Sequence, residues 1–203
     1  VYGFLNMLLK MLSEERPSHV LIAFDEHGPT FRHKVFGEYK AGRPETPESL
    51  RTQMTLAREL LGQMGVATVS KPGLEADDML GIYSRRAGEA GMEAVLVTGD
   101  RDALQLVDGH TSVVLTKKGI TETVRLTAGN FEEQYGVAPQ QMIEVKSLMG
   151  DASDNIPGVP GVGEKTAFKL IREYGTLEGV LAHIPEINGP KLRERLTAYA
   201  GQA

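Results

Sequence analysis

Two stretches of this chain, "HVLIAFD" (19–25) and "EAVLVTGD" (93–100), are built alike: an apolar run without a helical stripe, then an aspartate where the run stops. Runs of this length and composition read as buried strands. Amphipathic helical patterns lie around them. Residues 1–16 carry Val1, Phe4, Leu5, Leu8 and Leu12 at helical spacing, and 48–65 place Leu50, Met54, Ala57, Leu61 and Met64 at four-three-four-three intervals. "VATV" (66–69) is a further short strand, and "KPGLEADDMLGIYSRRAGEAG" (71–91) turns at Pro-Gly and continues as helix. Strands alternating with helices predict an α/β fold with a mainly parallel sheet. "SVVLTKKGITETVRL" (112–126) reads as a hairpin with Gly119 near its turn. From about residue 139 the pattern is helical, broken by a Gly/Pro loop and by "INGP" (187–190). The expected division is an α/β domain over 1–138 and a small all-α subdomain over 139–203.

In open α/β sheets ligands bind beyond the carboxyl ends of the strands, so Asp25, Asp100 and Asp102 are expected at one rim. In "GLEADD", Glu75 and Asp78 stand three apart and can share a helix face, with Asp77 one residue aside. Acids in a first helical turn also answer the helix dipole, so plain capping is the favoured reading of that motif taken alone. Asp151 and Asp154 form another pair, in "MGDASDN". If all eight carboxylates meet in one cleft, each close pair costs about 1 kcal/mol at 4 Å even in water, and the set needs compensating cations. The chain has no Cys, and its five His show no ligand spacing. All-oxygen ligation then favours two or more Mg²⁺ or Mn²⁺ ions over zinc.

The net charge is −5, from 22 basic and 27 acidic residues, which is not the overall signature of a nucleic-acid binder. Setting the eight candidate ligands aside leaves 19 acids against the 22 bases, so a local basic surface is compatible with the total. No apolar run approaches the ~20 residues that span a bilayer. The chain opens inside an apparent helix without an initiator Met, and reads as part of a longer protein.

"IPGVPGVGEKTAFKLI" sets Gly161 and Gly163 at alternate positions before a helix bearing Lys165, Thr166 and Lys169. Glycine permits close backbone approach, and the first N–H groups of a helix bind phosphate. A Walker A loop fails here, because Glu164 separates Gly163 from Lys165 and no strand precedes it. A plain helix–turn–helix connection is the bland alternative. Upstream, "TFRHKVFGEYKAGRPETPESL" interleaves Arg32, Lys34, Lys40 and Arg43 with Phe31, Phe36 and Tyr39. Such a segment either stacks on bases and contacts phosphates or is an amphipathic helix with a solvated charged face.

Together, "AFD", "FRHKVFGEYKAGR", "GLEADD", "TGDRD" and "MGDASDNIPGVPGVGEKTA" closely resemble the 5′-nuclease domain of bacterial DNA polymerases I, within the 5′→3′ exonuclease and flap endonuclease family. The likeness runs through nearly the whole chain in order. It implies a Rossmann-like (PIN-like) sheet with helices on both faces and a helix-3-turn-helix (helix-hairpin-helix) subdomain. Asp25, Glu75, Asp77 and Asp78 would serve a first metal region, and Asp100, Asp102, Asp151 and Asp154 a second. Arg32, Lys40 and Arg43 would act catalytically from a helical arch at about 28–50, where Lys34 and Tyr39 would also meet DNA. The Gly161–Lys165 loop, with Thr166 and Lys169, would hold the duplex backbone, with K⁺ bound by loop carbonyls. The implied partner is DNA with a 5′ end or 5′ flap, cut by a monomer fused to a polymerase domain in a bacterial cytoplasm. The family begins with a strand carrying one more ligand Asp, and that strand is expected to precede Val1. A rival reading is a non-catalytic branched-DNA-binding module; an NTP-driven switch is disfavoured by the broken Walker spacing.

Overall fold

The computed structural model describes residues 1–116 and 122–201. Gly119, expected near a hairpin turn, lies outside the described residues. Helix α1 (Tyr2–Glu15) leads to strand β1 (Leu21–Ala23), followed by the short helix α2 (Phe31–Val35) and the long helix α3 (Glu48–Gln63). Strand β2 (Ala67–Val69), helix α4 (Ala76–Glu89), strand β3 (Ala94–Thr98) and a 3₁₀ segment (Arg101–Leu106) come next. Strands β4 (Thr111–Thr116) and β5 (Thr123–Leu126) then precede helices α5 (Phe131–Tyr135) and α6 (Gln141–Met149). A two-residue ribbon, β6 (Gly150–Asp151) with β7 (Ile156–Pro157), interrupts the otherwise helical remainder: α7 (Glu164–Tyr174), α8 (Leu177–Ala182) and α9 (Pro190–Ala198).

The strand pairing is mainly parallel, as the alternating pattern predicts, but it falls into separate pieces. β1 runs parallel to β2, β3 runs parallel to β4, and β5 closes antiparallel on β4. Among the described residues no ladder joins the β1–β2 pair to the β3–β4–β5 sheet. The strand expected over 19–25 is correspondingly shorter and only half-buried. Phe24 still donates its N–H to the Val69 carbonyl, but Asp25 turns away to the start of α4.

The core sits on the β3–β5 side. Leu96, Leu104, Val113, Leu126 and Phe131 form one buried cluster with Val145 and Leu148 of α6, Ala167 and Ile171 of α7, Val180 of α8 and Leu196 of α9. This cluster runs without a break past residue 138. Burying each large apolar side chain contributes roughly 1.5–3 kcal/mol, so the C-terminal helices and the sheet hold each other in place. The stripe on α3 is buried only at Ala57 and Leu61; Leu50, Met54 and Met64 at its ends are exposed.

Two glycines permit the β6–β7 ribbon. Gly150 has φ +72°, and a Cβ on it would overlap the main chain at Ile156–Gly158; a Cβ on Gly158 would overlap Met149 and Gly150. The ribbon positions Asp151 and Asp154, so it fixes one wall of the cleft described below. Gly158→Ala is expected to cost about 2–3 kcal/mol in urea unfolding, and Gly150→Ala more, since it adds left-handed strain to overpacking. Gly62→Ala, near the end of α3 with nothing within 4 Å of its added Cβ, is expected to stabilise by up to about 1 kcal/mol.

Candidate metal and nucleic-acid site

Most of the acidic side chains are placed by bonds from backbone N–H groups. Asp25 follows β1, and its Oδ1 accepts the Ala76 N–H at 2.7 Å, at the first turn of α4. Glu75 is the N-cap of α4 and forms a capping box with Asp78, whose Oδ2 accepts the Glu75 N–H at 2.8 Å. The capping reading of "GLEADD" therefore holds for Glu75 and Asp78. Asp77, between them, accepts no hydrogen bond among the described residues. Beyond β3, Asp100 caps the 3₁₀ segment by accepting the Asp102 N–H at 2.9 Å. Asp151 on β6 accepts from the Ser153 N–H at 2.8 Å and hydroxyl at 2.6 Å, closing the turn that carries Asp154.

The fold brings these clusters together. Asp25, Glu75, Asp77, Asp78, Asp100, Asp102 and Asp154 line one cleft of about 780 Å³. Asp151 faces an adjoining cleft of about 500 Å³ that shares Asp100 and Asp102. Asp77 registers the crowding: burial, then the charges of Asp100, Asp25, Asp102 and Glu75, push its carboxyl up to about 6. Burial also raises Asp102, where Asp100 and Asp151 repel it and Lys146 offsets them only in part.

The compensating cations are the chain's own side chains. Arg32 grips Asp78 in a two-pronged pair, Nη1 to Oδ2 and Nη2 to Oδ1, both at 2.8 Å. That pairing holds the Asp78 carboxyl below its usual range, against the effect of burial. Lys40 Nζ lies 2.8 Å from Glu75 Oε1, and Arg43 pairs with Asp154. Tyr39, expected on a DNA-facing surface, is instead only 4% exposed, because its hydroxyl donates toward both Glu75 Oε2 and Asp154 Oδ2, each at 3.0 Å. The arch is further docked by backbone bonds: Lys40 N–H to the Asp154 carbonyl at 2.9 Å, and Asn155 Nδ2 to the Glu38 carbonyl at 2.8 Å. Lys40 and Asn155 both adopt φ 57°, an uncommon left-handed conformation for non-glycine residues. Lys34 is exposed on α2.

The residue that sequence reasoning missed is Lys146. Its ammonium bridges Asp102 and Asp151, the latter at 2.5 Å. Burial alone would lower its pKa, but the two carboxylates raise it overall. Asp151 moves the other way: burial raises it, and Lys146 and Ser153 more than offset that, leaving it below the ordinary range. The available signal was a lone lysine in the apolar helix "VKSLM", one turn before Asp151.

Among the described residues no three acids or histidines are drawn together as a ready-made ligand sphere. The donor set nonetheless fits hard divalent ions, since it is all carboxylate oxygen and its repulsion is left unrelieved at Asp77.

The Gly/Pro loop lies on the α6–α7 side. Val159 and Val162 peg it into the core, at 2% and 4% exposure, and the Val159 N–H bonds to the Leu148 carbonyl. Gly161 has φ +77°, and Gly163 is the N-cap of α7. Lys165 and Lys169 are exposed and Thr166 is half-buried. Arg101, between Asp100 and Asp102, pairs with Glu164 at 2.7 Å, tying the acidic rim to the start of α7. No helix among the described residues is long and apolar enough to cross a membrane.

Residues 1–136 match the family described as 5'-3' exonuclease, N-terminal resolvase-like domain, and residues 137–203 match 5'-3' exonuclease, C-terminal SAM fold. Across all 203 residues the chain is 50% identical to the DNA polymerase I of Bacillus caldotenax and 46% identical to that of Bacillus subtilis (strain 168). It spans 23% of the length of each of these relatives. Its fold is similar to that of T5 5'-exonuclease with bound zinc, at TM-score 0.78 and 23% identity over 98% of this chain and 76% of that one. It is also similar to the catalytic core of Rad2 in complex with DNA substrate, at TM-score 0.59 and 21% identity over 97% of this chain and 64% of that one. The α/β part is thus resolvase-like and the helical part SAM-like, and the chain belongs to the 5'-3' exonuclease family.

Proposed function

We propose that this chain is a structure-dependent 5′-nuclease module, which hydrolyses DNA phosphodiesters near a 5′ end or at the base of a 5′ flap. The observation that carries the reading is the convergence of Asp25, Glu75, Asp77, Asp100 and Asp102, where burial and then the neighbouring charges push the Asp77 carboxyl up to about 6. Mg²⁺ or Mn²⁺ ions are the proposed relief, held by Asp77, Asp100 and Asp102 with Asp25, Glu75, Asp78, Asp151 and Asp154 around them. When bound, such ions supply positive charge to the phosphoryl oxygens and make water a stronger nucleophile at neutral pH.

The remaining roles fall to the chain itself. Arg32, Lys40 and Arg43 pair with acids in the structure. Once the acids are otherwise neutralised, the same cations are free to turn toward the scissile phosphate and hold it as negative charge develops. The loop of Gly161 and Gly163, with Lys165, Thr166 and Lys169, grips the duplex backbone through N–H groups and ammonium charge, and a K⁺ ion on its carbonyls fits that reading. In a DNA polymerase I such as the relatives, the module would prepare 5′ ends beside a fused polymerase domain, during repair and replication in the bacterial cytoplasm.

A second reading, a binder of branched DNA that does not cut it, draws on one observation: the chain's own cations already neutralise most of the acids. Incubation with a labelled 5′-flap duplex and Mg²⁺ separates the two. Cleavage is expected, giving a 5′-phosphate and a 3′-hydroxyl, with Asp100→Ala slowing it by at least about 100-fold, more than disturbing an outer-shell partner costs. Binding with no cleavage would favour the second reading.

Two further outcomes are expected from the electrostatics. In metal-free buffer Asp77→Asn raises the melting temperature by a few degrees at pH 8, where the folded chain carries an unfavourable charge. The gain shrinks between pH 6 and pH 4, because the folded wild type takes up a proton there that the unfolded chain does not, and so is relieved as pH falls. Adding Mg²⁺ stabilises the wild type more than the variant. Trypsin cleavage after Lys40 is expected to be slow in EDTA and several-fold faster with Mn²⁺, as the arch cations leave their acids; the Arg43–Pro44 bond resists trypsin in both.

A further inference from the structure

Helix α9 is the last described helix, and none of the motifs considered so far includes it. It packs Leu196 into the core and Leu192 against it, which fixes how its remaining faces point. Arg195 is exposed, and its guanidinium lies directly on the backbone of Gly161, in the place a Cβ on that residue would occupy. Glycine at 161 is required by its φ of +77°, and the flexible arginine fork settles over it.

The other arginines around the acidic cleft and its neighbouring helices have partners. Arg32, Arg43 and Arg101 pair with Asp78, Asp154 and Glu164, while Arg172 and Arg193 donate to the Tyr135 and Ile187 carbonyls. Arg195 has no acidic partner and no side-chain hydrogen bond among the described residues. A guanidinium carries five N–H donors in a planar fork that matches the oxygens of a phosphate diester. Here that fork lies over Gly161 and beside Gly163, which is exposed and has nothing within 4 Å of an added Cβ.

We infer that Arg195 is a phosphate-binding residue of the duplex-gripping loop, acting from α9 on the same DNA backbone that the Gly161–Gly163 segment receives. The inference rests on the proposed reading of that loop as a duplex grip. It adds a contact from a separate helix, 34 residues further along the chain than Gly161. Leu192 and Leu196 seat the helix, and the exposed Arg195 fork lies over Gly161. Charge and geometry both matter in this arrangement, so lysine is an incomplete substitute.

The test is fluorescence anisotropy of the 203-residue chain with a mixed-sequence 5′-flap duplex in EDTA, where cutting does not intervene, over a range of KCl concentrations. Arg195→Ala is expected to weaken binding on the order of fivefold at moderate salt and to reduce the slope of log Kd against log salt by about 1, as loss of one phosphate contact requires. Arg195→Lys should keep the slope and lose part of the affinity. The melting temperature should stay close to wild type in both, since the side chain is exposed. Unchanged affinity and slope in Arg195→Ala would overturn the inference while leaving the loop's role intact. Weaker binding with an unchanged slope, or with a large fall in melting temperature, would show a structural role and overturn it as well. Failure of the wild type to bind the duplex would sink both this contact and the duplex-gripping reading of the loop.

Discussion

Like charges crowded at the rim of the sheet are the constraint around which this structure is arranged. Coulomb repulsion between carboxylates is modest in water and grows as water is excluded, so a cleft of this kind needs cations from somewhere. The chain provides them from two directions. Arg32, Lys40 and Arg43 reach in from the arch, and Lys146 rises from α6 to bridge Asp102 and Asp151. Asp25, Asp77 and Asp100 pair with none of these cations, and at Asp77 burial together with the neighbouring charges raises the carboxyl.

The same pairs tie the α/β part to the helical part. Arg43 holds Asp154, Lys146 holds Asp102, and Arg101 holds Glu164, each contact crossing between segments far apart in sequence. Surface ion pairs of this kind contribute little to stability individually. The shared apolar core under α6 and α7 does that work, and the ion pairs set which side chains face the cleft. The arch is docked with two non-glycine residues in a left-handed conformation, Lys40 and Asn155. Such backbone strain persists where surrounding contacts over-determine it. Here the contacts are the Tyr39 hydroxyl between Glu75 and Asp154 and the main-chain bond from Lys40 to Asp154.

Much of this was legible along the chain because its signals are local. Apolar runs ending in Asp25 and Asp100, the helical stripes, and the acids of α4's first turn each depend on neighbours a few residues away. Tyr39 was misplaced because an aromatic among basic residues looks the same whether it stacks on a ligand or buries itself with its hydroxyl between two carboxylates. Lys146 went unnoticed because a single lysine in an apolar helix has no meaning until α6 is laid beside the 3₁₀ segment. The spacing along α3 marks an apolar face and not what covers it, and Leu50 and Met54 remain in solvent.

The amino-acid sequence by itself determined the elements, the strand-end position of the aspartates, and the kind of ligand an all-carboxylate set accepts. These follow from backbone sterics, periodicity and donor chemistry, which act over a few residues. Tertiary structure alone decided that acids from four separate segments meet at the two adjoining clefts, that arch and α6 cations neutralise most of them, and that Arg195 rests on Gly161. Those outcomes depend on distances between residues remote in the chain, and only the packing of the helices against the sheet sets such distances.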